Sequence, residues 1–97
     1  MVYYKKSDYN LINIQKSDNK GKKYTAVIQH KPAGKIKYIH FGALGYPQYK
    51  DSTKLKLYKK YDHGDKKRKD NYIARHRGFI KPGYYSAGQM SMDYLWR

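Results

Sequence analysis

Four histidines and seven aspartates are the side chains here that invite metal or carboxylate chemistry, since the 97-residue chain has no Cys and no Glu. A metal site needs three or four converging ligands, and sulfur-based zinc chemistry is excluded at once. The best remaining set is Asp62, His63 and Asp65 with His76 thirteen residues on. Against it, Arg75 and Arg77 flank His76 with positive charge, which repels a cation. A histidine closing a helix end and meeting its last carbonyls accounts for His76 better. A nuclease would pair Asp62, Asp65 and Asp70 around a divalent ion. Capping and helix-dipole complementarity account for Asp62 and Asp65, however, and an i,i+3 or i,i+4 pair with Lys66 or Lys67 accounts for Asp70. The Gly42-Ala43-Leu44-Gly45 segment lacks the Gly-Lys-Ser/Thr that a phosphate loop requires. The sequence therefore predicts no catalytic residue, no metal and no cofactor.

Charge is the stronger signal. The chain carries 22 Lys and Arg against 7 acids, for a formal net charge of +15. Residues 50 to 81 hold twelve of the bases against four Asp. Such a segment seeks an acidic partner, whether nucleic acid, an anionic membrane surface or an acidic protein. Codon bias toward Lys and Tyr, or a plain solvated face, would leave a similar composition. Bases interleaved with rings suit phosphate contacts beside stacking. The residues expected to make such contacts are Lys54, Lys56, Tyr58, Lys59, Lys60, Tyr61, Lys66, Lys67, Arg68, Lys69, Arg75 and Arg77. Lys outnumbers Arg 18 to 4, so contact with DNA would be directed at the backbone rather than at base edges.

The elements that must position these residues read as an α+β fold in one domain. Asn10–Ile14, Lys23–Gln29 and Lys35–Phe41 read as three antiparallel strands in a meander, the last two with a clear period of two. Ser17–Gly21 and His30–Gly34 supply the turns. Gly42–Pro47, with two glycines and a proline, ends the strand region as a loop packed close to something. A helix is expected from about His63 to Arg77, capped by Asp62 and stopped at Gly78. Its only strong apolar pair is Tyr72-Ile73, which marks a surface helix. A second, short helix follows Ser86, whose hydroxyl and Gln89 match a capping box. Ala87, Met90 and Tyr94 share its face, which should dock on the sheet. Trp96 either closes the core or anchors a partner. The chain thus divides into a strand-rich part (1–46), a basic helical part (47–81) and a docking helix (82–97).

No apolar run approaches the roughly 20 residues a membrane span needs. The N-terminal Met1-Val2-Tyr3-Tyr4-Lys5-Lys6 lacks an apolar signal core, and Val2 excludes N-myristoylation. Residence in cytoplasm or nucleus is the expectation.

One spaced set is more specific than any of its pieces. It comprises His40-Phe41-Gly42-Ala43, Gly45-Tyr46, Tyr49, His63-Gly64-Asp65, Arg68, Asn71 to His76, Ser86-Ala87-Gly88 and Leu95-Trp96. Over residues 35 to 97 this resembles a family of small basic proteins of nucleocytoplasmic large DNA viruses. The family carries an FGxxG turn, a His-Asp/Arg/Tyr/Arg-His helix and a Ser/Thr-Ala-Gly segment leading to Leu-Trp. The chain departs from it in Ser52–Tyr61, which looks like an insertion, and in Gln89-Met90-Ser91-Met92, where the family has an aromatic-rich stretch. The resemblance implies a viral origin, a place in the virion, and assembly in host cytoplasm or nucleus. It carries no activity. Gly42, Gly45, Asp65, Tyr72, His76, Ser86 and Trp96 read as turn, cap and packing residues. The expected role is a non-enzymatic virion structural protein, a minor capsid or shell-lining component meeting capsid proteins or viral DNA. The alternative is a sequence-nonspecific nucleic-acid-binding protein that condenses or packages the genome.

Overall fold

A computed structural model describes residues 2–97. Three antiparallel strands form the meander: β2 (Tyr9–Lys16), β3 (Lys22–His30) and β4 (Ile36–Ala43), with β3 in the middle. Two helices follow, α1 (Lys66–Arg75) and α2 (Ala87–Leu95). A two-residue strand, β1 (Tyr4–Lys5), pairs antiparallel with β5 (Tyr84–Tyr85), so the N-terminal segment is joined to the stretch just before α2 in a small ribbon that local patterning does not reveal. Among the described residues no helix is long and apolar enough to cross a membrane.

The core lies between one face of the meander and α2. Tyr24, Ala26 and Ile28 of β3 meet Ile39 and Phe41 of β4, and Met90 and Leu95 close the cluster from α2. The alternation in β2 looks imperfect in sequence for a physical reason. Leu11 pairs with Ile28 and Asn13 with Val27, so Ile12 is an extra, bulged residue. The bulge lets Tyr9, Leu11 and Ile14 all turn toward the core while Ile12 faces solvent.

Several expected boundaries move. Strand β4 continues through Gly42 to Ala43, paired with Lys22, instead of ending at Phe41. Gly42 takes φ +79, and a Cβ there would lie 2.8 Å from Leu95 Cδ1 and 3.2 Å from Lys23 Cβ. The close approach is therefore real, but it occurs within the sheet. Helix α1 begins at Lys66, not His63, because the cap is Asp65. Its Oδ1 accepts from the amides of Lys67 (3.0 Å) and Arg68 (3.3 Å). Asp62 is used elsewhere. The helix ends at Arg75, and the chain turns through a 3-10 segment, Arg77–Phe79, without a left-handed stop at Gly78. Asp70 forms no ion pair with Lys66 or Lys67; the only ion pair among the described residues joins Arg97 to Asp93 at 3.0 Å. Residues 47–65, the part of the basic segment that precedes the helix, are mostly irregular with one 3-10 turn at Lys59–Tyr61. Ser86 caps α2 by accepting from Gln89 N, yet Gln89 does not return the bond, its amide donating to Asp93 instead.

Candidate functional site

The long connection from Leu44 to Gly64 is held by backbone bonds, among them Lys50 N to Leu95 O (3.0 Å), Ser52 N to Tyr94 O (2.8 Å) and His63 N to Gln48 O (2.9 Å), and by buried side chains. Asp51, 1% exposed, accepts hydrogen bonds from Tyr24 Oη (2.5 Å), Thr53 Oγ1 (2.6 Å), Thr53 N (3.0 Å) and Tyr58 N (3.2 Å). Burial pushes the Asp51 carboxyl up, but these donors outweigh it and hold it below the usual carboxylate range. Burial and the Asp51 contact push the Tyr24 phenol the other way, to about 12. Asp62 Oδ1 accepts from Asp51 N (2.7 Å) and from Gln48 Nε2 (2.8 Å). Lys23, buried at 2% exposure, donates to Tyr46 O (2.6 Å) and Gln48 Oε1 (2.5 Å) and lies over the Tyr61 ring. Its pKa is lowered by burial, with Asp51 and Asp62 pulling the other way. The loop is thus tied to β3 at both Lys23 and Tyr24.

Aromatic stacking fixes α1. The Tyr72 ring lies parallel to Trp96 (centroids 4.1 Å apart, 2° between planes) and stacks on His76 at 4.1 Å. His63 leans on Trp96 at 5.3 Å. Two neighbours at 4.1 Å must occupy opposite faces of Tyr72, so the rings form a pile that joins α1 to the end of α2. Trp96 therefore packs half-buried at the edge of the core as an internal staple between helices. Burial raises the Tyr72 phenol above its usual value, against the pull of Ser91 and Arg75. His76 Nδ1 sits 2.9 Å from Tyr72 O; a carbonyl only accepts, so the ring donates there, closing the helix end as expected. His63 Nδ1 accepts from Asp65 N at 2.9 Å, leaving a buried Nε2 with no partner. Burial and the Arg68 charge depress its pKa.

Between α1, the end of β4 and α2 opens a cleft of about 540 Å³. Arg68, Tyr72, Arg75 and His76 line it from one stripe of α1, at the three- and four-residue spacing of a helix face. Lys22 and Gly42 contribute from the sheet, Tyr46 and Pro47 from the loop, and Gly88, Ser91 and Trp96 from the C-terminal segment. No Asp lines it, and neither Arg68 nor Arg75 is in an ion pair. The cleft is therefore an uncompensated cationic site with aromatic walls, the chemistry that accepts phosphate.

The residues expected to contact a partner divide. Only Arg68 and Arg75 of that set line the cleft. Lys56, Lys59, Lys60, Lys66, Lys67 and Arg77 are exposed outside it, and Lys54 lies on a separate groove. Lys69 packs over Tyr49 at 4.7 Å. Tyr58 turns inward, edge-on to Tyr24 at 5.3 Å, and Tyr61 sits half-buried beneath Lys23 and Lys60, so neither ring presents an open stacking face. Gly45 takes φ +86 in the turn that leads to Tyr46. Among the described residues no three His or Asp side chains gather as metal ligands; Asp62, His63, Asp65 and His76 have the separate partners given above. Sequence reasoning overlooked Lys22, and it placed Tyr46 in the spaced motif set without reading it as a contact residue. For Tyr46 the signal was its setting, Gly-Tyr-Pro, which fixes a backbone while leaving the ring outside.

Residues 12–76 match the profile of a family of unknown function, DUF5754. The chain belongs to that family. The part of it matched to DUF5754 runs from within β2 to His76, taking in β3, β4, the tied loop and the cationic stripe of α1. No curated protein and no solved structure gives a significant match to this DUF5754 chain.

Proposed function

We propose that the protein is a non-enzymatic, sequence-nonspecific nucleic-acid-binding protein that meets the phosphate backbone of a viral genome. The observation that supports this is the acid-free cleft, where Arg68, Arg75, His76 and Lys22 converge among aromatic side chains. In nucleic acid every nucleotide carries a phosphate beside a ring, the pairing that such a cleft matches. The exposed Lys66 and Lys67 extend the positive surface along α1. The viral setting belongs to the same proposal and rests on the motif set that resembles a family of large DNA viruses. Of that set, Phe41, Gly42, Tyr46, Arg68, Tyr72, Arg75, His76, Gly88 and Trp96 line this one cleft.

The test is fluorescence anisotropy of labelled DNA across a salt series. Binding should weaken steeply, with a log-log slope of about -0.9 for each phosphate neutralised. Arg68→Gln and Arg75→Gln should each flatten the slope by about one. A salt-independent affinity, or slopes unchanged in both variants, would remove the basis of the proposal.

A second reading, a shell-lining protein docked on capsid protein, is favoured by a different surface. Leu11, Ile12, Ile14, Leu55 and Tyr94 line a groove of about 480 Å³, and Ile12 and Leu55 are 51% and 44% exposed. Apolar groups presented this way suit a protein partner better than a phosphate backbone. Cross-linking mass spectrometry on purified virions distinguishes the two, through capsid links at Lys54 or nucleotide adducts at the cleft.

A further inference from the structure

The cleft contains several rings, but they are not equally available. Tyr72 is covered on both faces by His76 and Trp96, Trp96 is engaged by Tyr72 and His63, and Phe41 is fully buried. Tyr46 differs. The residue is 68% exposed while its backbone is clamped, the carbonyl accepting from buried Lys23 at 2.6 Å. Pro47 fixes the next φ, and Gln48, 1% exposed, anchors the chain one residue further on. A free ring on a fixed backbone loses little entropy when something stacks on it, because only two side-chain torsions remain to be ordered. The same cleft places Arg68, Arg75 and Lys22 within one small volume with that ring. Its size, about 540 Å³, falls in the range of a small-ligand site. A base paired within a duplex has both faces stacked and cannot offer one to Tyr46, whereas an unpaired base can.

We propose, on the basis of the nucleic-acid reading above, that the cleft is a single-nucleotide subsite for single-stranded polynucleotide. One unpaired base stacks on Tyr46, and its phosphate meets Arg68, Arg75 and Lys22. The protein then prefers unpaired strand to duplex.

Tyr46→Ala tests this without threatening the fold, because the ring it removes is mostly in solvent. The probes are a labelled oligothymidylate twelve nucleotides long, a duplex of equal length, and thymidine 5′-monophosphate as competitor. Tyr46→Ala should weaken oligothymidylate binding by about 5- to 150-fold, the usual range for losing one base-aromatic stack. Duplex binding should stay within twofold, and Tyr46→Phe should restore the wild-type value. Strand binding should also change the fluorescence of Trp96, the only tryptophan. Salt-sensitive binding of both probes with no effect of Tyr46→Ala would overturn the subsite and leave the nucleic-acid reading standing. Equal losses for strand and duplex would likewise overturn it. Displacement of the strand by micromolar monophosphate would reassign the cleft to a free nucleotide and overturn the strand preference. Failure of the wild-type protein to bind either polynucleotide would overturn both readings together.

Discussion

Replacing Tyr24 by Phe removes one oxygen from the interior, and the structure sets the cost. The hydroxyl donates to Asp51 at 2.5 Å and accepts from Leu57 N at 2.9 Å. Leu57 is 48% exposed, so its amide can turn to water at small cost. Asp51 cannot, being buried. A hydrogen bond to a buried charge contributes about 1.5 to 3 kcal/mol. The phenol pKa, raised from 10.0 to about 12 first by burial and then by the Asp51 bond, reports the cost of ionising the ring. Because Asp51 is left one donor short in the interior, Tyr24→Phe falls in the upper part of the hydrogen-bond range, at about 2 to 3 kcal/mol out of the roughly 5 to 15 expected for a domain of this size. Melting should fall by about 8 to 24 °C, read by circular dichroism at pH 7. The sign with pH follows from the same numbers. A group with a raised pKa adds stability that is complete below 10, and that stability is lost as pH climbs through about 12. Wild type should therefore lose stability across this alkaline window, and the contribution of Tyr24 to that loss should vanish in the variant. A melting temperature within two degrees of wild type would refute the reasoning.

Two further outcomes test the site's frame. Gly42→Ala should destabilise by about 2 to 5 kcal/mol in urea unfolding, combining a left-handed backbone with overpacking against Leu95; an unchanged midpoint would mean that Leu95 can withdraw. His63 has a pKa depressed below 6.5 by burial and Arg68. Its contribution is present above 6.5 and lost as pH falls through the lower folded value. Thermal melts between pH 7 and pH 5 should drop for wild type and flatten in His63→Asn, which keeps an acceptor for Asp65 N; identical pH profiles would dismiss His63 as the source.

The meander was legible because β3 and β4 alternate with a period of two between turns rich in Gly, Pro and Asn. In β2 the extra residue at Ile12 broke the period and hid the strand's true length. Ser86 was readable as a cap, since capping is a local hydrogen bond, whereas at α1 the pattern pointed to Asp62 and the cap is Asp65, three residues on. Asp51 was not legible, because its principal donor, Tyr24, is 27 residues away, and an aspartate in a lysine-rich run looks solvated. The cleft was legible only as a scatter of motif residues between Phe41 and Trp96. Its cationic character depends on Arg68 and Arg75 facing Lys22 across the fold, which no local window contains.

The loop tied to β3 has a consequence for how this molecule can vary. Its course depends on Gln48, Asp51, Thr53 and Asp62, all turned inward or bonded, while Lys54, Leu55, Lys56 and Leu57 stand in solvent. Such a segment behaves like a handle fixed at its two ends. Its outer side chains can be exchanged without disturbing strand pairing, whereas altering any of the four inner ones loosens the handle. Diversification of the outer surface is thereby separated from maintenance of the scaffold, and exchanging the side chains of Lys54, Leu55 and Leu57 should leave both the sheet and the cationic cleft in place, since the amides of Lys56 and Leu57 keep their bonds to Thr53 and Tyr24.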